Sequence, residues 1–261
     1  MTKTSSYHPE PYWSDVAERI DAREDHNVIA GDDEPYYRYK RERFLRLLHN
    51  TDFNHKNVLE LGAGPGGNLE FILQNFTPKS LTDADISAKM LEIASKNIKN
   101  DKVKFVKIDG QNLPFEADTF DLTFTATVLQ HNTDEPMLLK IIAELCRVSQ
   151  DKIALFEKIE PTITGDELCL GRPVDYYAKA FAQHGFQLIE TDFINVKISY
   201  YVSGAIRKLL NPSSRKEGEP LSKMAVFMQN LTLVVTKQLD KIFTSRRNIG
   251  KLVFQKIKEK Q

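Results

Sequence analysis

The tightest constraint in this 261-residue chain is a single break in pattern. Asn57-Val58-Leu59-Glu60-Leu61 reads as a buried strand. It stops at Gly62-Ala63-Gly64-Pro65-Gly66-Gly67, after which Asn68–Asn75 takes up helical spacing. Glycines at 62, 64 and 66 remove the side chains that would hold a backbone away from a ligand, and the N–H groups of the first helical turn point back into the same bend. Strand, glycine turn and helix make the first half of a nucleotide-binding α/β unit. By itself the turn has several meanings. Gly62, Gly64 and Gly67 also satisfy G-x-G-x-x-G, the dinucleotide fingerprint of dehydrogenases, and a glycine-rich turn without a ligand is the third reading.

The pattern on either side extends the unit. Pro11–Ile20 and Tyr36–Leu48 are expected as helices ahead of it, with Asp32-Asp33-Glu34-Pro35 as the break between them. Strands are expected at Ser80–Ala84, Val103–Ile108, Thr119–Phe124, Lys152–Glu157 and Phe186–Phe193. They alternate with helices over Ala88–Asn97, Glu135–Val148 and Asp175–His184. A strand-like run, Leu252–Lys258, closes the chain. Before it, Leu221–Phe243 carries Met224, Phe227, Met228, Leu231, Val234, Val235 and Ile242 at helical spacing, an apolar arc expected to pack onto the domain. The alternation predicts an α/β fold with a mostly parallel sheet, helices on both faces, and ligands at the strand C-termini. The organisation expected is a helical cap or lid over 1–56, a core over 57–202, a helical insertion over 203–248 joining the last two strands, and a terminal core strand over 249–261.

Composition narrows the class. With 41% hydrophobic and 28% charged residues the chain is an ordinary globular protein, and no run of about 18 apolar residues marks a membrane span. The N-terminus lacks the apolar segment of a signal peptide, so the cytoplasm is the expected location. Cys146 and Cys169 sit in apolar surroundings and read as core residues of a reducing compartment; no disulfide, zinc or other metal site is expected. The net charge of zero hides an asymmetry. Residues 207–261 hold 13 Lys/Arg and 4 Asp/Glu, a balance of +9 against −9 for the rest. That segment suits an anionic partner or a face complementing the acidic remainder.

An adenosine-bearing ligand needs close backbone approach, an acid for the ribose hydroxyls after the next strand, and a polar contact for the adenine further across the sheet. Asp85 lies 23 residues beyond Gly62, at the ribose-acid spacing, and one carboxylate can take both hydroxyls. Asp109 follows the third strand, where it can accept from an exocyclic amine. Glu60 ends the first strand, where a carboxylate suits a cationic group. Any one of these acids alone is as readily a solvated strand end.

These motifs resemble the class I S-adenosylmethionine-dependent methyltransferases, in particular the group acting on small molecules (methyltransferase type 11-like). The resemblance runs from Asn57 to about Phe193 through Glu60–Gly66, Asp83–Leu91, Asp109–Phe115 and Asp118–Phe124 followed by Val128-Leu-Gln-His131. It implies a Rossmann-like seven-stranded sheet whose last strand is antiparallel beside the fifth. It also implies S-adenosylmethionine as cofactor. Glu60, Gly62, Ala63 and Gly64 would line its methionine part, Asp85 its ribose with Ile86 against the adenine, Asp109 the adenine amine with Gly110 and Gln111 beside it, and Thr125 and Ala126 would border the sulfonium. Gly110 departs from the larger residue many relatives carry. The acid before the first glycine and the Asp109 motif weigh against the dehydrogenase reading.

Methyl transfer needs an acceptor held in line and, for an alcohol, a proton acceptor. His131 is the candidate catalytic base, its ordinary pKa of about 6.5 being suitable; ordering the loop after it is the alternative. Tyr36, Tyr37 and Tyr39 suit a lid, with Arg38 or Arg41 on the methionine carboxylate, although an Arg-rich helix surface reads the same way. Glu157 and Lys158 would face the acceptor side. The expected acceptor is a small molecule, a sugar or lipid-linked intermediate among them, methylated on oxygen or nitrogen. Nucleic acid is disfavoured, because neither an Asn/Asp-Pro-Pro-Tyr/Phe motif nor a pair of catalytic cysteines is present. A cofactor-binding scaffold without turnover is the reading from another class. The insertion is open to three roles: a lid, a homodimer surface, or a peripheral membrane contact through 221–243.

Overall fold

The computed structural model describes residues 8–22, 34–215 and 219–257; Asp32, Asp33 and Lys258 of the readings above lie outside them. Two helices come first, α1 (Pro9–Asp21) and α2 (Pro35–His49), each opened by a proline whose fixed φ suits the first turn. There follow β1 (Asn57–Leu61), α3 (Gly67–Asn75), β2 (Ser80–Asp85), α4 (Ala88–Asn97), β3 (Val103–Lys107) and β4 (Phe120–Ala126). After a single 3-10 turn, Leu129–His131, come α5 (Glu135–Val148), β5 (Ser149–Ile159), the two-residue ribbon β6 (Thr164–Gly165) and β7 (Leu170–Gly171), and α6 (Val174–Ala182). The chain ends with β8 (Phe186–Phe193), α7 (Lys197–Leu210), α8 (Lys223–Ile242) and β9 (Asn248–Lys256).

Among the described residues the main sheet has seven strands in the order β3-β2-β1-β4-β5-β9-β8. Strands β1 to β5 pair in parallel, and β9 runs antiparallel between β5 and β8, giving the mostly parallel, Rossmann-like arrangement. Strand period sorts the core. Leu59, Leu61, Ile153, Leu155, Leu252 and Phe254 point to one face, where α5 and α6 pack, while Val58, Ala154, Phe156 and Val253 point to the other, against α2 and α3. Helix α1 stands apart, packing Val16, Ala17 and Ile20 on Met90 and Ile93 of α4. Strand order reverses between β1 and β4, and at such a switch point the loops diverge and open a crevice at the strand C-termini.

The insertion between β8 and β9 is larger than the sequence pattern indicates. Helix α7 begins at Lys197, so the boundary expected at 202/203 falls inside it. Its inward residues are Ser199 and Ser203, so apolar periodicity does not reveal a buried face. Nor does α8 pack its apolar arc onto the domain. Met224, Phe227, Leu231, Val234, Val235 and Ile242 are exposed, and Ala225, Gln229, Leu233, Thr236 and Asp240 face inward. The reason lies in α7. Its N-cap position is Val196, which has no capping side chain, and Asp240 of α8 supplies the missing acceptor. One Asp240 oxygen accepts from the Ile198 and Ser199 N–H groups at 2.6 and 3.3 Å, and the other accepts from the Ser199 hydroxyl at 2.6 Å. Asp240→Ala is therefore expected to lower unfolding free energy by about 2–3 kcal/mol in denaturant titration, with Asp240→Asn costing less.

Candidate functional site

At the C-terminal edge of the sheet lies a cavity of about 1070 Å³, and the glycine turn forms its floor. Gly62, Gly64 and Gly66 have φ of 74°, 58° and 93°, a left-handed backbone that disfavours any side chain. At Gly62 the space is closed as well: a Cβ there would lie 2.6 Å from Val128 Cγ2, because the turn touches the loop after β4.

Three buried carboxylates hold this turn: Glu60 on β1, and Asp83 and Asp85 two residues apart on one face of β2. Asp83 accepts from Ala63 N–H and Asp85 from Gly64 N–H, both at 3.2 Å, while Asp85 also accepts from Ser87 N–H at 2.7 Å. Glu60 accepts from the Asn68 amide at 2.6 Å, and the Asn68 carbonyl accepts in turn from Arg41. One oxygen of Glu60 and one of Asp83 are buried without a hydrogen-bond partner. Burial pushes the Glu60 carboxyl up to about 8 and raises Asp83 and Asp85 as well; burial draws the Arg41 guanidinium down to about 10, against the pull of Glu60. Of the three acids only Asp85 lines the cavity; Glu60 and Asp83 lie fully buried behind its wall, and Asn68, the partner of Glu60, is on the wall itself.

Ile86 and Gly110 also line the cavity and touch, a Cβ on Gly110 falling 2.7 Å from Ile86 Cδ1. The small residue at 110 is favoured by its φ of 80°, since the end of the Ile86 side chain could turn aside. Ala63 and Ala126 line the wall too. Asp109 and Gln111 do not. Asp109 is exposed, and it caps its own turn by accepting from Gln111 N–H, Asn112 N–H and the Asn112 amide, three donors that hold its carboxyl down at about 2. Gln111 accepts from Lys140 on α5. Thr125 is turned away as well, its hydroxyl donating to Glu157 at 2.7 Å, and Thr127 and Val128 take the place beside Ala126. Arg38 is not on the wall; Arg41, one turn along α2, is. Of the tyrosines on α2 only Tyr37 reaches the cavity, Tyr36 and Tyr39 being buried in the core.

His131 lines the cavity but is engaged on both nitrogens. Nδ1 lies 2.7 Å from the Leu168 carbonyl, which can only accept, so the ring hydrogen is on Nδ1. Nε2 then accepts from the Gln130 amide at 3.1 Å. Burial takes the imidazole down to about 4. The expected general base is therefore a neutral ring that fixes the loop preceding β7, and Trp13 of α1 stands edge-on to it with centroids 4.9 Å apart. Sequence reading had no role for Trp13, Asn68, Asp83, Tyr200 or Tyr201, all but Asp83 of which line the cavity. Of these, Asp83 had a usable signal, sharing its strand face with Asp85.

Residues 58–152 match the family model described as a methyltransferase domain. The stretch from β1 into β5, with the glycine turn, is therefore a methyltransferase domain, and the strand order is the one expected of the class I S-adenosylmethionine-dependent fold. Phthiotriol/phenolphthiotriol dimycocerosates methyltransferase of Mycobacterium tuberculosis is 28% identical over 108 residues, a stretch covering 40% of this chain and 39% of that relative. Demethylmenaquinone methyltransferase of Thermotoga maritima is 25% identical over 172 residues, 66% of this chain and 70% of that one. Among solved structures, a candidate sarcosine dimethylglycine methyltransferase from Galdieria sulphuraria has the same fold, with a TM-score of 0.58 at 17% identity over 88% of this chain and 93% of that chain.

The His131 geometry sets a pH dependence. The folded state keeps the imidazole neutral to about 4, whereas an unfolded histidine protonates near 6.5, so the contribution is complete above 6.5 and is lost as pH falls toward 4. The difference in unfolding free energy between the intact protein and His131→Asn should shrink by about 3 kcal/mol over that interval, and the ring resonances should titrate near 4.

Proposed function

We propose that this protein is an enzyme that transfers the methyl group of S-adenosylmethionine to an oxygen or nitrogen of a small-molecule acceptor by in-line displacement. The observation that carries this reading is the Glu60–Asn68–Arg41 chain beside the glycine turn, with Asp85 on the turn's other side. Glu60, holding a buried oxygen without a partner, suits the α-amino group, and Arg41 suits the carboxylate of the methionine part. Asp85 suits the ribose hydroxyls, and Ile86 offers an apolar surface to the adenine.

Bound S-adenosylmethionine supplies an already activated methyl group, so the residues around it have to position the acceptor and exclude water. Trp13 of α1 and Tyr37 of α2 wall the cavity from the N-terminal side, and Tyr200 and Tyr201 of α7 wall it from the other. A ring held neutral to about 4 is a weak proton acceptor, which supports an acceptor atom that needs no strong base, such as an amine, a carboxylate or an acidic hydroxyl. The names of the dimycocerosates and demethylmenaquinone relatives support an apolar or lipid-linked molecule. Cys146 and Cys169, both free, suit a reducing compartment such as the cytoplasm.

Calorimetry with S-adenosylhomocysteine tests the reading: the intact protein should bind, and Asp85→Ala should weaken binding about 100-fold through loss of two charge-assisted hydrogen bonds. No binding by the intact protein would refute it, and labelled methyl donor incubated with a lipid extract should yield labelled product. Proton linkage tests Glu60 separately. Burial lifts its carboxyl to about 8, and contact with an ammonium favours the ionised form, so binding near pH 7 should release a proton. Affinity should then rise with pH up to about 8, the heat of binding should vary with buffer ionisation enthalpy, and both effects should vanish in Glu60→Gln.

A further inference from the structure

Helix α8 is built inside out. The side chains it turns toward the protein are largely polar and are engaged there: Gln229 accepts from Tyr36 N–H at 3.2 Å, the Thr236 and Ser199 hydroxyls are hydrogen-bonded at 2.9 Å, and Asp240 caps α7. Its outer face carries Met224, Phe227, Leu231, Val234, Val235 and Ile242, with Phe227 61%, Val234 69% and Ile242 71% exposed. Rotating the helix to bury this stripe would turn the polar row to solvent, leave the buried Tyr36 N–H without its acceptor and uncap α7, so the outward orientation is fixed by hydrogen bonds. From Met224 to Ile242 the stripe spans five turns, or about 27 Å at 1.5 Å per residue.

What covers it is indicated by charge. Helical spacing places Lys223, Lys237 and Lys241 in one row along the edge of the stripe, between it and the buried face. Exposed Lys208 and Arg246 lie at the two ends of the hairpin, within the segment whose charge balance is +9. A second copy of this chain would bring the same cations to the same face, whereas an anionic lipid surface complements both the lysine row and the apolar stripe. None of the helices described is long and apolar enough to cross a membrane, so the contact would lie in the interface plane.

We propose that the outer face of α8 docks this protein onto an anionic membrane surface, apolar side chains entering the acyl boundary and lysines meeting the headgroups. The same hairpin contributes Tyr200 and Tyr201 to the cavity wall, and Arg247, just beyond α8, lines it as well. Docking therefore sets the cavity beside the lipid, where an acceptor can enter without crossing water. That last step rests on the methyltransferase reading; membrane binding itself does not.

Vesicle co-sedimentation without methyl donor tests the docking alone. The full chain should bind phosphatidylcholine vesicles containing phosphatidylglycerol, bind pure phosphatidylcholine vesicles much less, and be released by salt. Lys223→Gln/Lys241→Gln should weaken binding roughly 30-fold, from about fivefold per charge near the surface. Phe227→Ser/Leu231→Ser should abolish it while thermal unfolding, read in parallel, stays unchanged, since both side chains are exposed. Absence of binding by the intact chain overturns the proposal, as does equal binding by either variant. A dimer in light scattering that Phe227→Ser/Leu231→Ser disperses, with no vesicle binding by the intact chain, would assign the face to a second copy instead.

Discussion

Glu157 is the group on which the geometry of the crevice depends. It sits fully buried near the end of β5 and receives four hydrogen bonds from the neighbouring β4 and the loop after it: the Thr125 hydroxyl and the Val128 and Leu129 N–H groups on one oxygen, and the Gln130 N–H on the other. Burial raises its carboxyl and these donors oppose the rise. The result is a 3-10 turn whose backbone has no freedom to drift. Thr127 is held at a φ of 60°, costly for a β-branched residue, and Val128 is pressed against Gly62. Gln130 then accepts from Lys158 N–H, His131 grips Leu168, and buried Arg172 donates to the Leu129 and Asn132 carbonyls, so one carboxylate organises a wall reaching from β4 to β7.

The two halves of the crevice differ in construction. The half that suits the cofactor is made of strand ends and one glycine turn, tied by short hydrogen bonds among buried groups, and preorganised in that sense. The other half is roofed by helices from outside the sheet: α1 before it, and α7 with α8 inserted between its last two strands. Those helices meet the rest of the fold through contacts such as Trp13 on His131 and Gln229 on the Tyr36 N–H.

Legibility in the sequence follows this division. The central strands could be read because they are buried on both faces and so appear as continuous apolar runs, and the glycine turn because only glycine fits its backbone. Gly62, Gly64 and Asp85, expected from the turn and its spacing, line the cavity, as do Ile86 and Ala126, expected from the resemblance; Glu60 lies behind the wall. Thr125 was misplaced because strand alternation turns it to Glu157, a fact set by register rather than composition. Asp109 caps its own turn instead of lining the cavity, because an aspartate in this position can accept from the N–H groups that follow it, and nothing local in the sequence distinguishes that use from a ligand contact. Helix α7 escaped because its buried face is serine, and α8 was read with the correct period and the opposite orientation. Hydrophobic periodicity locates an apolar face but not what the face meets; here the buried polar partners decide it, and they come from residues far away in sequence.

The inverted polarity of α8 and the placement of the cavity have one cause. Because Asp240 must cap α7, the hairpin lies with its polar seam inward. With the seam inward, the aromatic side chains at the start of α7 are left at the cavity and the apolar stripe of α8 at the surface. A single buried carboxylate thus links the wall that an acceptor would pass to the face that would meet its source. Beside that stripe Lys223 and Lys241, exposed along one edge of α8, give the face a direction.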